Sequence, residues 1–204
     1  AQKQGKFDAE IVGVEVPQRK GEPVVVQVDE EPARGNPSKM AQLRPAFAKD
    51  GTITAANASK IDDGACAMVL ATDEAVKKHG LVPLARVVGY AGVAQDPAWF
   101  TTAPAAAIDK TLTTLGLKTQ DIDLFEINEA FAVVTMHSIQ ACKLDPEIVN
   151  VHGGAVSLGH PIGCSGARIT TTLLHAMLDR KVKRGLATLC IGGGEALAVV
   201  LETI

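Results

Sequence analysis

Four segments of this 204-residue chain carry residue types that can do chemistry. The densest is HGGAVSLGHPIGCSGAR at 152–168, with five glycines between positions 153 and 166 and His160 between Gly159 and Pro161. Glycine costs backbone entropy, so such a cluster signals unusual φ angles or the close approach of a ligand or another backbone. It lacks the GK[ST] of a phosphate-binding Walker loop and does not follow the GxGxxG dinucleotide pattern. His160 falls on a loop just ahead of a helical pattern, where reactive groups are often held. A tight crossover with an incidental histidine explains the loop equally well.

The second segment is CIGGG at 190–194. A cysteine at a strand end, followed by bare glycines, has backbone N–H groups beside its sulfur. An acid/base thiol next to an oxyanion hole has that form. Free cysteine is also a common buried residue, and taken alone a small hydrophobe before a hairpin is the simpler reading of Cys190. The third is NEAFA at 128–132, at an expected strand-to-helix junction. Asn128 there reads first as a helix cap. Its alternative is a polar side chain fixing a water or ligand at the carboxyl end of a strand, where α/β sites usually lie. The fourth, TITAANASKIDDG at 52–64, has small and short polar side chains that could line a channel for a slim ligand, or form an ordinary polar loop.

The elements around these segments fit an α/β sheet. The first 60 residues are punctuated by Pro17, Pro23, Pro32, Pro37 and Pro45, and read as loop and edge strand with a short extended run at 23–28. Residues 64–71, GACAMVLA, read as a buried strand, followed by a helix through Lys78 that is capped by Thr72 or Asp73 and stopped at Gly80. Further strands are expected at 84–93, 123–127, 147–151, 186–191 and 196–202. Helices are expected at 104–115, 129–143 and 168–183, the last strongly amphipathic. The short turn at 192–194 predicts an antiparallel hairpin for the final two strands.

Composition narrows the function classes. An apolar fraction of 47% with 21% charged residues excludes disorder and low complexity. A net charge of −3 offers no basic field for nucleic acid or membrane, so a phosphate-bearing ligand must be held by local groups. Cys66, Cys142, Cys164 and Cys190 show no CxxC pairing and no zinc-ligand spacing, so no metal site is expected. The apolar or small-residue surroundings of Cys66, Cys142 and Cys190 point to reduced thiols and a cytoplasmic setting. No signal peptide opens the chain, and the apolar stretch at 186–201 is broken by Gly192–Gly194 and Glu195. His79, His137, His152 and His175 read as structural or solvated. The chain opens on Ala1 rather than Met, and its first residues read like the tail of a helix ending at Gly5, so a portion of something longer is expected.

Taken in order, NEAFA, GGAVSLGHPIGCSGAR and CIGGG closely resemble the signature blocks of the thiolases, and more narrowly those of the short-chain acetyl-CoA acetyltransferases. The resemblance runs over essentially all of the chain and corresponds to the C-terminal half of a thiolase. It implies the layered α-β-α-β-α thiolase fold with mixed five-stranded sheets. Residues 1–61 would end the loop domain that covers coenzyme A, 62–82 would supply the closing strand and helix of the N-terminal domain, and 83–204 would form the C-terminal domain.

The resemblance also implies roles. His160 matches the histidine that activates the nucleophilic cysteine and hydrogen-bonds the thioester oxygen. Asn128 matches the asparagine holding the water of that first oxyanion hole. Cys190 matches the acid/base thiol, and the Gly192 N–H a donor of the second hole. Phe47, Ala55, Ser59, Ala130 and Phe131 match positions along the pantetheine channel. Coenzyme A and acetyl-CoA are then substrates, with no prosthetic group, and the implied reaction is the reversible Claisen condensation of two acetyl-CoA molecules.

The family nucleophile has no match in this chain. The expected partners are therefore the N-terminal half of the same thiolase and, as in the family, further copies in a homodimer or homotetramer; the chain alone is expected to be inactive. Lys60 stands where the family commonly has Gly, and Glu195–Ala196 where it has Met or Gln followed by Gly. Rival readings are a longer-chain 3-ketoacyl-CoA thiolase and a non-catalytic coenzyme A-binding protein of the same fold. A decarboxylating ketoacyl synthase fits less well, since those use His or Asn at the position of Cys190.

Overall fold

The structure, a computed structural model, describes all 204 residues. Its first strands, β1 (Val14–Val16) and β2 (Val24–Val26), pair antiparallel as a ribbon on the surface. Two single-turn helices follow, α1 (Glu31–Arg34) and α2 (Pro37–Met40), then α3 (Asp73–His79). Thr72 caps α3 through Ala75 N–H, and Gly80 closes it with φ +59°. The choice between Thr72 and Asp73 is thereby settled for Thr72.

The remaining elements form the core. They are β3 (Ala85–Ala94), α4 (Ala103–Leu115), β4 (Leu124–Ile127), α5 (Ala132–Cys142), α6 (Ala155–Leu158), α7 (Ser165–Arg180), β5 (Arg184–Cys190) and β6 (Glu195–Thr203). The sheet order is β3-β6-β5-β4, with β4 parallel to β5 and the other pairs antiparallel. Residues 1–102 contribute one buried residue, Phe7. Their apolar side chains have no core of their own to enter.

Alternation on β4 assigns its faces. Phe125 and Ile127 join Ile108, Leu112 and Val134 in the core beneath α4 and α5. Leu124 packs on the other face with Ile169, Leu173 and Met177 of α7. Close helix-to-sheet packing is visible at Gly185, where a Cβ would meet Met177 Sδ at 2.6 Å. Ile169, Leu173 and Met177 lie on the buried face of this helix, which the sequence marks as amphipathic.

Three expectations are corrected. Residues 64–71 are extended but belong to no strand, and Val69 and Leu70 are 92% and 78% exposed. A run of apolar residues becomes a strand only where another strand accepts its hydrogen bonds, and no strand of this chain lies alongside. Residues 147–151 hold a 3-10 turn (Pro146–Ile148) and a single parallel bridge from Val149 to Phe125. The sheet consequently has four strands rather than five, with Val149 at the fifth position. Last, the helix expected from 129 begins at Ala132 with Phe131 at its N-cap, so Asn128 is not a cap. The final hairpin pairs as expected, Cys190 opposite Ala196.

Candidate active site

The loop at 152–168 closes on Asn128. His160 Nδ1 lies 2.6 Å from Ser165 Oγ, and Ser165 Oγ donates to the Pro161 carbonyl at 3.1 Å. The serine hydroxyl therefore accepts from Nδ1–H. This network assigns the ring proton to Nδ1 and leaves Nε2 as the acceptor, facing Asn128 Nδ2 at 3.4 Å. Asn128 is fully buried, and its Oδ1 has no hydrogen-bond partner within the chain. Burial holds His160 below the usual histidine range, and the charge of Arg168 adds to that shift. The ring is accordingly neutral near pH 7, as a base requires.

Two glycines shape the approach to His160. Gly159 has φ +89°, and a Cβ there would overlap the Asp62 carboxylate. The His160 N–H donates to the Lys60 carbonyl at 2.7 Å, and Ile61 bridges His160 in parallel. The loop bearing Asp62 thus lies directly on the loop bearing His160. Lys60 itself points away, pairing with Glu31 of α1 at 2.6 Å and Asp62 at 3.2 Å.

Cys190 ends β5 at the same edge of the sheet. Ile127 pairs with Thr188, and Asn128 N–H donates to the Thr188 carbonyl at 3.0 Å, so Asn128 and Cys190 leave neighbouring parallel strands at their carboxyl ends. Cys190 is buried in the core beneath α4 and α5, and burial pushes its thiol up from the ordinary range. Beyond it, Gly194 N–H closes a turn onto Ile191 C=O, with Gly194 at φ +97°. Gly194 admits no side chain, because a Cβ would strike the Gln95 carbonyl. Gly192 differs. A Cβ there would meet nothing within 4 Å, and its N–H donates no hydrogen bond. A free donor two residues from a thiol is the element an oxyanion hole needs. Glu195 is exposed with its carboxylate folded toward Gly193, and burial, not Glu195, accounts for the raised Cys190 thiol.

The channel candidates gather on one wall. Ser59 N–H and Oγ both donate to the Ala130 carbonyl, at 3.0 and 2.8 Å. Ala58 bridges Phe131, and Phe47 and Phe100 stand edge-on to the Phe131 ring at 6.0 and 6.2 Å. Ala55 is exposed on the turn leading to Ser59 and touches none of these groups in the hydrogen-bond or ring network. Sequence reasoning missed the support beneath Asn128. Asn150, at φ +47°, accepts from Ile127 N–H at 2.7 Å and donates to the Ile127 carbonyl at 2.8 Å, holding the end of β4 like a paired strand. Its amide also donates to Glu129, which accepts from Val156 N–H at the start of α6. Its place just after a β-branched run, before HGG, was the available signal. No group of three or more His, Cys, Asp or Glu is arranged to hold a metal ion.

Residues 81–203 match the family model "Thiolase, C-terminal domain", and residues 1–74 match "Thiolase, N-terminal domain". The chain belongs to the thiolase family. It is 51% identical over 204 residues to a probable acetyl-CoA acyltransferase of Staphylococcus aureus, covering 99% of this chain and 51% of that protein. Among solved structures, the Bacillus anthracis acetyl-CoA acetyltransferase superposes with a TM-score of 0.96 at 45% identity, over all of this chain and 52% of that one. Human mitochondrial 3-ketoacyl-CoA thiolase in complex with CoA superposes with a TM-score of 0.94 at 41% identity, over all of this chain and 51% of that one. This thiolase chain therefore spans about half the length of the curated relatives it matches. The fold expected from the sequence is the thiolase fold.

Proposed function

We propose that this chain supplies the C-terminal portion of an acetyl-CoA C-acetyltransferase. Residues 1–61 belong to the region covering coenzyme A, 62–82 to an N-terminal domain completed by the rest of the enzyme, and 83–204 to the C-terminal domain. The observation that carries the reading is the convergence of His160 with Asn128 at one sheet edge, with Cys190 and the free Gly192 N–H ending the adjacent strand.

In this reading, His160 Nε2 takes the proton of the nucleophilic cysteine contributed by the N-terminal half. The thiolate then attacks the thioester, and coenzyme A leaves with that proton. His160 and the water held by Asn128 stabilise the oxyanion. Cys190, as thiolate, removes the α-proton of a second acetyl-CoA while the Gly192 N–H meets the enolate oxygen. Each lost oxyanion donor would cost about 2.7–4 kcal/mol of barrier. The enolate attacks the acetyl-enzyme, giving acetoacetyl-CoA and expelling the cysteine as thiolate, which takes the proton from the Cys190 thiol and so restores both groups. In thiolysis Cys190 returns the proton, and the upward push on its thiol by burial favours that protonated form.

Ser59, Ala130, Phe131, Phe47 and Ala55 line the pantetheine path, with coenzyme A as substrate rather than prosthetic group. The exposed Val69, Leu70 and Val82 face the missing half, and the complete enzyme is a cytoplasmic homodimer or homotetramer. A longer-chain 3-ketoacyl-CoA thiolase is the second reading, favoured by the likeness to the human mitochondrial enzyme. Turnover of acetoacetyl-CoA against a long-chain 3-oxoacyl-CoA by the complete enzyme separates the two. Marked preference for acetoacetyl-CoA supports the acetyltransferase, and equal turnover overturns it.

A further inference from the structure

Directly beneath the Asn128–His160 contact, the interior facing α7 changes from apolar to ionic. Leu124 packs among Ile169 and Leu173; two residues on, Glu126 meets Arg168; two further on, Asn128 meets His160. Glu126 is 2% exposed, with Oε1 3.6 Å from Arg168 Nη1, and the Arg168 nitrogens make no hydrogen bond. Glu10, from the N-terminal segment, also joins α7 here, accepting from Thr172 Oγ1 at 2.9 Å. A buried guanidinium is costly unless its charge is matched, and an apolar pair would serve better if spacing alone mattered. The location on α7 decides what the charge does. Arg168 is the next residue but two after Ser165, which holds His160 Nδ1, and Arg168 N–H donates to Cys164 C=O at 2.9 Å in that first turn.

We propose that Arg168 is a positioning residue for His160: paired with Glu126 under Asn128, it holds the first turn of α7 at the spacing from β4 where Nε2 meets the Asn128 amide. Its charge also disfavours imidazolium, adding to burial. The other groups around His160 are Asn128 from β4, Ser165 from α7, and Lys60 and Asp62 from the loop packed on Gly159. Around Arg168 and Glu126 stand Glu10, Glu129 and His175. Burial pushes the Glu126 carboxyl up, and the Arg168 charge beside it pulls the other way.

The inference rests on the proposed base role of His160, and its test separates the two. In the complete enzyme, His160 titration is followed by NMR of the ring signals, and turnover per active site is counted by acetyl-enzyme burst. Arg168→Met risks unfolding by stranding Glu126, so the Glu126→Gln/Arg168→Met double variant, which removes both charges, is measured beside it. The expected result is a folded double variant whose His160 titrates above wild type, the direction expected on removing the Arg168 charge. Its kcat falls about tenfold or more, with KM within about twofold. Arg168→Lys, which keeps the charge, returns the titration toward wild type. A folded double variant, or a folded Arg168→Lys variant, with the reverse pattern overturns the proposal: unchanged titration and kcat in the first, a full upward shift in the second. A wild-type enzyme without thiolysis would contradict the proposed function, while the titration still judges Arg168.

Discussion

His160 Nδ1 and Ser165 Oγ lie 2.6 Å apart, and this hydrogen bond fixes which ring nitrogen is free to act. Ser165 is fully buried, its hydroxyl committed to the Pro161 carbonyl on its other side. Ser165→Ala keeps the helix, because Ser165 N–H also donates to Pro161 at 2.9 Å, but releases the imidazole to the other tautomer. Loss of one buried hydrogen bond is worth about 1–2 kcal/mol, or roughly 5–30-fold in the acylation rate. Stopped-flow acylation of the complete enzyme reads this, and an unchanged rate would remove Ser165 from the account.

The downward shift of His160 fixes the sign of a pH effect. A base must be neutral, so activity is lost only as pH falls through the folded-state pKa. That pKa lies below the usual value near 6.5, so the acid limb of kcat/KM for acylation falls below that pH. An acid limb above the ordinary histidine value would contradict the burial and the Arg168 charge as its causes.

Gly192 and Gly194, in the turn after β5, are predicted to behave oppositely. Gly194→Ala places a side chain at φ +97° against the Gln95 carbonyl and is expected to cost about 2 kcal/mol or more in thermal or denaturant unfolding. Gly192→Ala has open space and is expected to fall within about 0.5 kcal/mol of wild type in the same melt. It crowds only the approach to the donor beside Cys190, so its effect belongs in turnover.

Lys60 straps α1 to the loop under His160 through Glu31 and Asp62. Exposed ion pairs contribute about 0–1 kcal/mol, so Lys60→Ala is expected to leave the melting temperature nearly unmoved. Hydrogen exchange at residues 31–34 should quicken. Unchanged exchange there would show that α1 is held by something other than the strap.

The unpaired segment 64–71 and its surroundings predict self-association of the chain by itself. Val69, Leu70, Val82 and Tyr90 are 92%, 78%, 85% and 73% exposed. Such surface marks an interface. Concentration-dependent sedimentation and dye binding are expected for the isolated chain, both suppressed by the N-terminal half. A well-hydrated monomer at high concentration would contradict the proposed partner.

The elements most legible in the sequence were those with local determinants. A cap at Thr72 or Asp73, the Gly80 stop, the amphipathic pattern of α7 and the Gly192–Gly194 hairpin each depend on residues close in the chain. Misread elements depended on partners elsewhere. GACAMVLA has strand composition but no adjacent strand, and 147–151 finds only the Val149–Phe125 bridge. Asn128 looked like a cap because helix-start chemistry is local, whereas its contact with His160 spans 32 residues. The Glu126–Arg168 pair was hidden for a related reason. A charge inside an otherwise apolar strand reads as an exception until the helix that neutralises it is in place.

The central claim is that Cys190 moves the substrate α-proton while His160 serves acylation. In the complete enzyme, Cys190→Ala should still form the acetyl-enzyme at close to the wild-type rate, yet lose exchange of deuterium from the acetyl-CoA methyl group and condensation together. If Cys190→Ala exchanges that deuterium and makes acetoacetyl-CoA at the wild-type rate, the division of roles is contradicted.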